Sequence, residues 1–202
     1  MMDINNSDEE LNKINLITLG DMSVGKTCYI LKFTEDFFQP IHLSTIGIDF
    51  KKKKVTINNK NYTVFFYDTT GQERFRSIAL NIVKNADGIL LMYDITERDS
   101  FKAISEWMNS IKQIKQKDFP IILIGNKCDL EENRIISKEE GEELAKKYNI
   151  DFFETSNKEG INIEESALKL INKTIEYKKL NEDINSLALK RKNGNEKKRC
   201  SC

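Results

Sequence analysis

Apolar residues follow two alternating patterns along the chain. Short apolar runs of strand length are separated by segments in which apolar residues return every three or four positions, as on one face of a helix. The turn Asn58–Lys60 predicts an antiparallel hairpin between the second and third runs. Six strands are predicted: Ile14–Leu19, Ile46–Ile57, Asn61–Tyr67, Ile89–Tyr93, Ile121–Ile124 and Asp151–Phe153.

Helical spacing predicts the segments between the strands. One helix is predicted over Lys26–Asp36, a second over Phe101–Ile114 and a last one over Ile163–Ile175. Residues Ser137–Glu140 have the pattern of a capping box at the start of another helix. Because alternating strands and helices form a parallel sheet covered on both faces, the predicted fold class is α/β. We expect a six-stranded, mostly parallel sheet with one antiparallel edge strand.

Composition and charge restrict the function. The 202 residues suffice for one domain with a tail, and equal numbers of basic and acidic residues, 32 each, argue against nucleic-acid binding. The apolar runs are too short to span a bilayer, and residues 1–10 are too acidic for a secretory signal. Four cysteines without a Cys-x-x-Cys pair fit a reducing cytosol and argue against zinc or redox chemistry. We predict a flexible N-terminus over 1–11, a domain over 12–178 and a flexible tail over 179–202.

A glycine-rich segment after the first strand predicts a phosphate-binding loop. Residues Gly20–Thr27 match G-x-x-x-x-G-K-[ST] and lie between a predicted strand and a predicted helix. Backbone N–H groups at such a helix start face an anion, and a lysine ammonium can bridge the β- and γ-phosphates. The Thr27 hydroxyl can ligate Mg²⁺. The motif predicts a nucleotide site without choosing between ATP and GTP, at Asp21, Met22, Ser23, Val24, Gly25, Lys26, Thr27 and Cys28.

Two later loops indicate that the base is guanine. In Asn126-Lys127-Cys128-Asp129, the Asp129 carboxylate can accept hydrogen bonds from guanine N1–H and the exocyclic amino group. Adenine lacks that donor pair, which argues against an ATP-using kinase or ATPase. The aliphatic stem of Lys127 can cover one face of the ring and Phe38 the other. Backbone N–H groups of the loop after the last strand can bind the guanine carbonyl, at Ser156, Asn157 and Lys158.

Two further segments carry a family resemblance. These are Ser44–Phe50 and Asp68–Phe75, which stand in the order expected around a nucleotide switch. With them, residues 13–177 and the last three residues resemble the Rab family of small Ras-like GTPases, most of all its Rab8/Sec4 and Rab1 branches. The resemblance implies the Ras-like P-loop NTPase fold, the cofactors GTP or GDP and Mg²⁺, and GTP hydrolysis. It also implies a cycle in vesicle trafficking, in which the membrane-bound GTP state recruits effectors.

The resemblance assigns roles to individual residues. Thr45 would ligate Mg²⁺ and sense the γ-phosphate, with Ser44 beside the nucleotide, and Asp68 would hold Mg²⁺. The Gly71 N–H would meet the γ-phosphate, and Gln72 would orient the attacking water. Because these motifs offer no obvious arginine to the γ-phosphate, intrinsic hydrolysis should be slow, and an activating protein should supply one. GTP would order the two switch loops, and hydrolysis would release them.

The chain ends in a motif that resembles a lipidation signal. Cys200 and Cys202 form a Cys-x-Cys ending like that of doubly geranylgeranylated Rabs, preceded by the basic residues 197–199. We expect a monomer on the cytoplasmic face of an intracellular or the plasma membrane, with a cytosolic pool. Expected protein partners are an exchange factor, a GTPase-activating protein, a GDP-dissociation inhibitor, a Rab escort protein and effectors.

Several residues depart from the family pattern. Thr70 stands where alanine is usual, and its hydroxyl could displace the attacking water. Two interpretations of Thr70 stay open, that it slows hydrolysis or that it is simply tolerated, and a slow or non-hydrolysing GTP-binding scaffold is the alternative function. Asn157 also replaces alanine, and its size predicts faster GDP release. Tyr67 and Val83 differ from the residues usual beside Phe50, so the effectors of other Rabs should not be carried over.

Overall fold

A computed structural model describes residues 12–38, 48–71, 76–116 and 118–199 of the chain. Its centre is a six-stranded sheet in the order β2-β3-β1-β4-β5-β6. Strands β2 and β3 pair antiparallel, and every other neighbouring pair is parallel, which confirms the predicted fold class. The strands are β1 Lys13–Leu19, β2 Ile48–Ile57, β3 Lys60–Thr69, β4 Gly88–Asp94, β5 Ile121–Asn126 and β6 Asp151–Thr155.

Helices cover both faces of the sheet in the described part of the chain. The helix Arg76–Val83 was not predicted from the sequence, because its eight residues give only about two helical turns of apolar spacing. The predicted capping box at the start of the helix Lys138–Tyr148 is confirmed, since the Ser137 hydroxyl accepts from the Glu140 N–H and the Glu140 carboxylate accepts from the Ser137 N–H. The helices are α1 Lys26–Glu35, α2 Arg76–Val83, α3 Arg98–Ile114, α4 Lys138–Tyr148 and α5 Ile163–Arg199, with a 3₁₀ turn at Glu131–Asn133.

The sheet separates two apolar cores. Helices α1 and α5 pack on one face, where Tyr29, Phe66 and Leu170 are buried. Helices α2, α3 and α4 pack on the other face, where residues such as Leu91 and Trp107 are buried. Every residue of β4 is buried, as expected of a central parallel strand that is covered on both sides. The carboxyl ends of the parallel strands therefore open onto one edge, where α/β proteins carry their ligands.

The predicted hairpin is present at the edge of the sheet. Asn58 and Asn59 have positive φ angles of 50° and 60°, which a two-residue hairpin turn of the primed type requires. The register runs from Ile57 opposite Lys60 to Ile48 opposite Thr69. On its other side β3 pairs in parallel with β1, which places the end of β3 beside the loop that follows β1.

The last helix differs from the predicted flexible tail. Helix α5 continues to Arg199 instead of ending near residue 178. Its first turns bury apolar side chains against the sheet, including Ile163 and Ile171, whereas Leu180 and Ile184 are exposed. Lysine, leucine and glutamate favour a helix without packing, and no proline interrupts the segment, so its composition allows the helix to continue. None of the described helices combines the length and the apolar character needed to cross a bilayer.

Candidate functional site

The loop between β1 and α1 has the backbone of an anion site. Gly20, Ser23 and Gly25 have φ angles of 138°, 64° and 101°, which turn the chain tightly around one centre. A side chain at Gly20 would overlap the Met92 carbonyl, so glycine is needed there. Gly25 is the N-cap of α1 and has no side chain to cap the first turn. The N–H groups at the start of such a helix point toward the site where an anion binds.

Lys26 supplies a buried positive charge at the same place. Its Nζ donates to the carbonyls of Gly20, at 2.9 Å, and Asp21, at 2.6 Å. Burial lowers the pKa of Lys26 to about 8, although Asp68 and Asp21 partly oppose the shift. An ammonium has three donors, and these two bonds are the ones it makes within the described part of the chain, which leaves one donor for a ligand. A buried cation with a spare donor fits a phosphate, which would restore the ordinary pKa.

Thr27 and Asp68 bring two oxygen ligands together beside the loop. The Thr27 hydroxyl donates to Asp68 Oδ2 at 2.6 Å, and Asp68 is buried near the end of β3. A hydroxyl and a carboxylate are ligands that Mg²⁺ accepts. Next to them, burial raises the pKa of the Cys28 thiol, so this side chain is uncharged at neutral pH.

Asn126 holds the phosphate loop from the end of β5. Its Nδ2 donates to the Val24 carbonyl at 2.7 Å, and its Oδ1 accepts from the Thr155 hydroxyl at 3.0 Å. All three groups lie in the buried interior between loops. Asn126 therefore links the phosphate loop by hydrogen bonds to the ends of β5 and β6, where the two base-reading loops begin.

The predicted base-reading residues are oriented by ion pairs and hydrogen bonds. The Ser156 hydroxyl donates to Asp129 Oδ1 at 2.6 Å, which holds the carboxylate in one orientation. The Lys127 ammonium pairs with Asp94 Oδ2 at 2.6 Å. Because Asp94 holds the charged end, the aliphatic stem of Lys127 is left to line the site.

These loops enclose one cavity of about 260 Å³. Only Leu130 among its lining residues was not predicted from the sequence, because it lies one position beyond the recognised motif. Its side chain adds apolar surface beside Asp129, as the rim of a flat aromatic ligand needs. The lining residues are Ser23, Gly25, Cys28, Phe38, Asn126, Lys127, Asp129, Leu130, Asn157 and Lys158.

Gly71 lies against the other side of the phosphate loop. A side chain at this position would overlap the peptide between Asp21 and Met22. Thr70, directly before it, is buried, and the Met22 side chain is exposed. The segment after β3 therefore meets the phosphate loop where the resemblance expects a γ-phosphate sensor.

Some predicted residues cannot be placed. The segment Asp68–Phe75 is described only up to Gly71, and the chain is described again from Arg76. The loop before β2 and the last three residues of the chain are likewise outside the described residues. The predicted residues that lie there are Ser44, Thr45, Gln72, Cys200 and Cys202.

A contact between α3 and the phosphate loop was not predicted from any sequence pattern. The indole N–H of Trp107 donates to Asp21 Oδ1 at 3.1 Å. The Arg76 guanidinium lies over the same indole, 4.3 Å from the ring centroid, and donates to Glu106 at 2.9 Å. Helical spacing alone places Trp107 in the apolar stripe of α3, and does not reveal its polar partner.

An exposed aromatic group lies on the outer face of β2 and β3. Phe50 is 56% exposed, and its ring centroid lies 6.3 Å from those of Phe65 and Tyr67. Val83 is fully buried on the inner face of α2, so the expectation that it joins this surface is wrong. Ile78 on the same helix is exposed instead.

The fold and the site together define a P-loop nucleotide-binding protein with a base-selecting loop. The model of the Ras family matches residues 15–176 of the chain. The chain is 45% identical over 155 residues to the Ras-related protein Rab-10 of Diplobatis ommata, a match that covers 77% of this chain and 78% of the relative. The Ras-related protein Rab-8 of Diplobatis ommata is 41% identical over 191 residues, with 91% of each chain covered. The Ras-related protein Rab-13 of Rattus norvegicus is 45% identical over 155 residues, covering 77% of this chain and 76% of the relative.

The chain belongs to the Rab family of Ras-related small GTPases. It is therefore a guanine-nucleotide-binding GTPase of vesicle trafficking that hydrolyses GTP to GDP. Family membership also implies regulators and effectors in general.

Proposed function

We propose that the cavity holds a guanine nucleotide, with the base between Lys127 and Phe38 and the phosphates on the loop from Asp21 to Cys28. The observation that carries this proposal is that one cavity is bounded by both the phosphate loop and the two base-reading loops. Asp129, oriented by Ser156, would accept from the guanine N1–H and amino groups.

Mg²⁺ would be held at Thr27 and Asp68, with Thr45 completing the set when the triphosphate is present. The support is the adjacent hydroxyl and carboxylate, whose oxygen chemistry fits the ion. Among the described residues, no three His, Cys, Asp or Glu side chains lie together in a way that could hold a metal ion. Such a pair of protein ligands suits an ion that is also held by the phosphates.

Hydrolysis in this site would depend on positioning and charge stabilisation. Lys26 would neutralise phosphate charge, the Gly71 N–H would contact the γ-phosphate, and Gln72 would orient water. We expect slow intrinsic turnover and an arginine supplied by an activating protein. The GTP state would then present Phe50 and Tyr67 to effectors, and an exchange factor would replace GDP.

We further propose that Cys200 and Cys202 carry geranylgeranyl groups. Two lipid chains give stable membrane anchoring where one lipid chain is marginal, and the basic residues before the cysteines would attract anionic lipids. A Rab escort protein and a GDP-dissociation inhibitor would then handle the lipids, and the protein would divide between a cytoplasmic membrane face and the cytosol as a monomer. Mass spectrometry of the protein expressed in a eukaryotic cell should show both modified cysteines, and two unmodified thiols would reject this proposal.

Competition binding tests the nucleotide assignment. Full-length protein with Mg²⁺ should bind GDP and GTP at least 10³-fold more tightly than ADP and ATP, because only guanine satisfies Asp129. Lys26→Ala should lose most of this affinity, whereas the matched surface change Lys138→Ala should keep it. Equal affinity for guanosine and adenosine nucleotides would overturn the proposal.

A very slow GTPase that acts mainly as a GTP-bound scaffold is the second candidate, because the Thr70 side chain is buried immediately beside Gly71. Single-turnover hydrolysis with and without a Rab activating protein separates the two candidates. A switch should hydrolyse bound GTP faster when the activator is added, whereas a scaffold should retain GTP in both conditions.

A further inference from the structure

The side chain of Asn157 joins the base-reading loop to the phosphate loop. Its Nδ2 donates to the Gly25 carbonyl at 2.9 Å, across 132 residues of sequence. Asn157 is only 5% exposed, and both residues line the nucleotide cavity. The hydrogen bond therefore connects two walls of the same site.

The chemistry of the partner determines how the Asn157 amide is turned. The Gly25 carbonyl can only accept, so the nitrogen of the amide must face it. Asn157 Oδ1 is then buried without a hydrogen-bond partner in the described part of the chain. Since an unsatisfied buried acceptor costs free energy, the effect of this side chain depends on the hydrogen bond at its other end.

Asn157 and Asn126 act on successive peptide units of the phosphate loop. Asn126 Nδ2 donates to the Val24 carbonyl at 2.7 Å, and Asn157 Nδ2 donates to the next carbonyl, that of Gly25. A side chain at Gly25 would collide with both amide nitrogens, which shows how closely they pack on the loop.

Peptide geometry carries the effect to the phosphates. In a trans peptide the N–H points opposite to the C=O of the preceding residue, because the unit is planar. A bond that draws the Gly25 carbonyl toward the base loop therefore turns the Lys26 N–H away from that loop. The Gly25 carbonyl also accepts from the Tyr29 N–H at 2.9 Å, in the first turn of α1. Two donors thus hold this peptide plane from two sides.

We infer that Asn157 is a positioning residue that orients the Gly25–Lys26 peptide for phosphate binding and thereby slows nucleotide release. The inference rests on the proposed guanine-nucleotide site. It reverses the direction that side-chain size alone predicts, because the amide is bonded to the phosphate loop instead of crowding the base. Asn157 touches no reacting atom in this role and acts through Gly25.

Release of a fluorescent GDP derivative from the loaded full chain, chased with excess GDP, tests the inference. Wild type should release it most slowly. Asn157→Ala should be about five-fold faster, since one hydrogen bond is lost while Tyr29 still satisfies the carbonyl. Asn157→Asp should be faster still, by tenfold or more, because an isosteric acceptor then faces the Gly25 carbonyl. The matched surface change Asn172→Asp, which alters an amide bonded to the Leu168 carbonyl at 2.9 Å, should leave release unchanged.

A ligand without phosphates separates positioning of the phosphate loop from a direct effect on the base. Guanosine has the same base as GDP but no phosphates, so Asn157→Asp should weaken the binding of GDP and leave the binding of guanosine unchanged. An equal loss of affinity for guanosine and GDP would mean that Asn157 acts on the base. Release from Asn157→Ala at or below the wild-type rate would equally overturn the inference. If wild type retained no guanine nucleotide at all, the proposed function would fail instead, so the two failures are distinct.

Discussion

The two sides of the nucleotide cavity are held in different ways. On the base side, the buried amides of Asn126 and Asn157 bond to consecutive backbone carbonyls of the phosphate loop. On the side of Gly71, the loop is held through the Asp21 carboxylate and the Trp107 indole, under an arginine whose other partner, Glu106, is largely exposed. Buried hydrogen bonds to backbone carbonyls are costly to break, whereas contacts between side chains near the surface can rearrange. We infer that the base side is set before a ligand arrives and that the other side responds to it.

The largest expected effect comes from a change on the base side of the cavity, at the carboxylate that selects guanine. Asp129→Asn replaces one acceptor oxygen with an amide donor, which should weaken GDP binding about 10²- to 10⁴-fold. Xanthine has a carbonyl in place of the amino group of guanine, so xanthosine diphosphate should gain affinity in the same variant. Competition binding with the two nucleotides measures both changes.

Glu132→Gln, close by in the 3₁₀ turn, is the control and should keep the preference for guanine. Weakened binding of both nucleotides by Asp129→Asn would mean that the carboxylate supports the loop and does not read the base.

A pH titration separates charge from geometry on the phosphate loop. In the free protein, burial lowers the pKa of Lys26 to about 8. Phosphate favours the protonated ammonium, so GDP affinity should be highest below pH 8 and fall toward tenfold per pH unit as the pH rises from 8 to 9. Equilibrium binding between pH 7 and 9 measures the slope.

Lys26→Arg is the matched control for this titration, because a guanidinium stays charged over the same range. Its affinity, although lower, should not change with pH. The same slope in both proteins would show that another group titrates.

The recurring patterns of the chain predicted most of the fold, and contacts between distant loops account for what they missed. Apolar periodicity and the Gly20–Thr27 motif are local, so they revealed the sheet and the phosphate loop. The Trp107–Asp21 hydrogen bond joins residues 86 positions apart, and no local pattern marks it. The same holds for the hydrogen bond from Asn157 to the Gly25 carbonyl, which joins residues 132 positions apart. Helix α5 beyond residue 178 was missed because its apolar residues no longer repeat against a core.

The third effect concerns the side of the cavity formed by Gly71. Thr70→Ala removes a buried hydroxyl next to Gly71, and we predict that it raises the single-turnover rate of GTP hydrolysis several-fold, up to about tenfold, or about 1.4 kcal/mol of barrier. The physical reason is that the hydroxyl competes with the attacking water for its position. Rapid-quench measurement of bound GTP without an activator gives the rate.

Thr56→Ala, on the exposed strand β2, provides a comparison that should leave hydrolysis unchanged. An unaltered rate in Thr70→Ala would show that threonine is simply tolerated there, and the scaffold alternative would lose its main support.

The smallest effect tests the hydrogen bond between α3 and the phosphate loop. Trp107→Phe keeps an aromatic side chain in the core but removes the donor to Asp21, so we expect a loss of about 1–2 kcal/mol in the free energy of unfolding. Asp21→Asn keeps an acceptor oxygen and should lose less. Denaturant unfolding of the GDP-bound proteins, followed by circular dichroism, measures both changes.

The same contact also tests whether the Gly71 side of the cavity rearranges with the bound nucleotide. If it does, the fluorescence of Trp107, the only tryptophan in the chain, should differ between the GDP state and the state with a non-hydrolysable GTP analogue. Identical fluorescence in the two states would instead show that the surroundings of Trp107 do not change with the nucleotide. The part of the site that responds to the nucleotide would then lie closer to Gly71 and exclude Trp107.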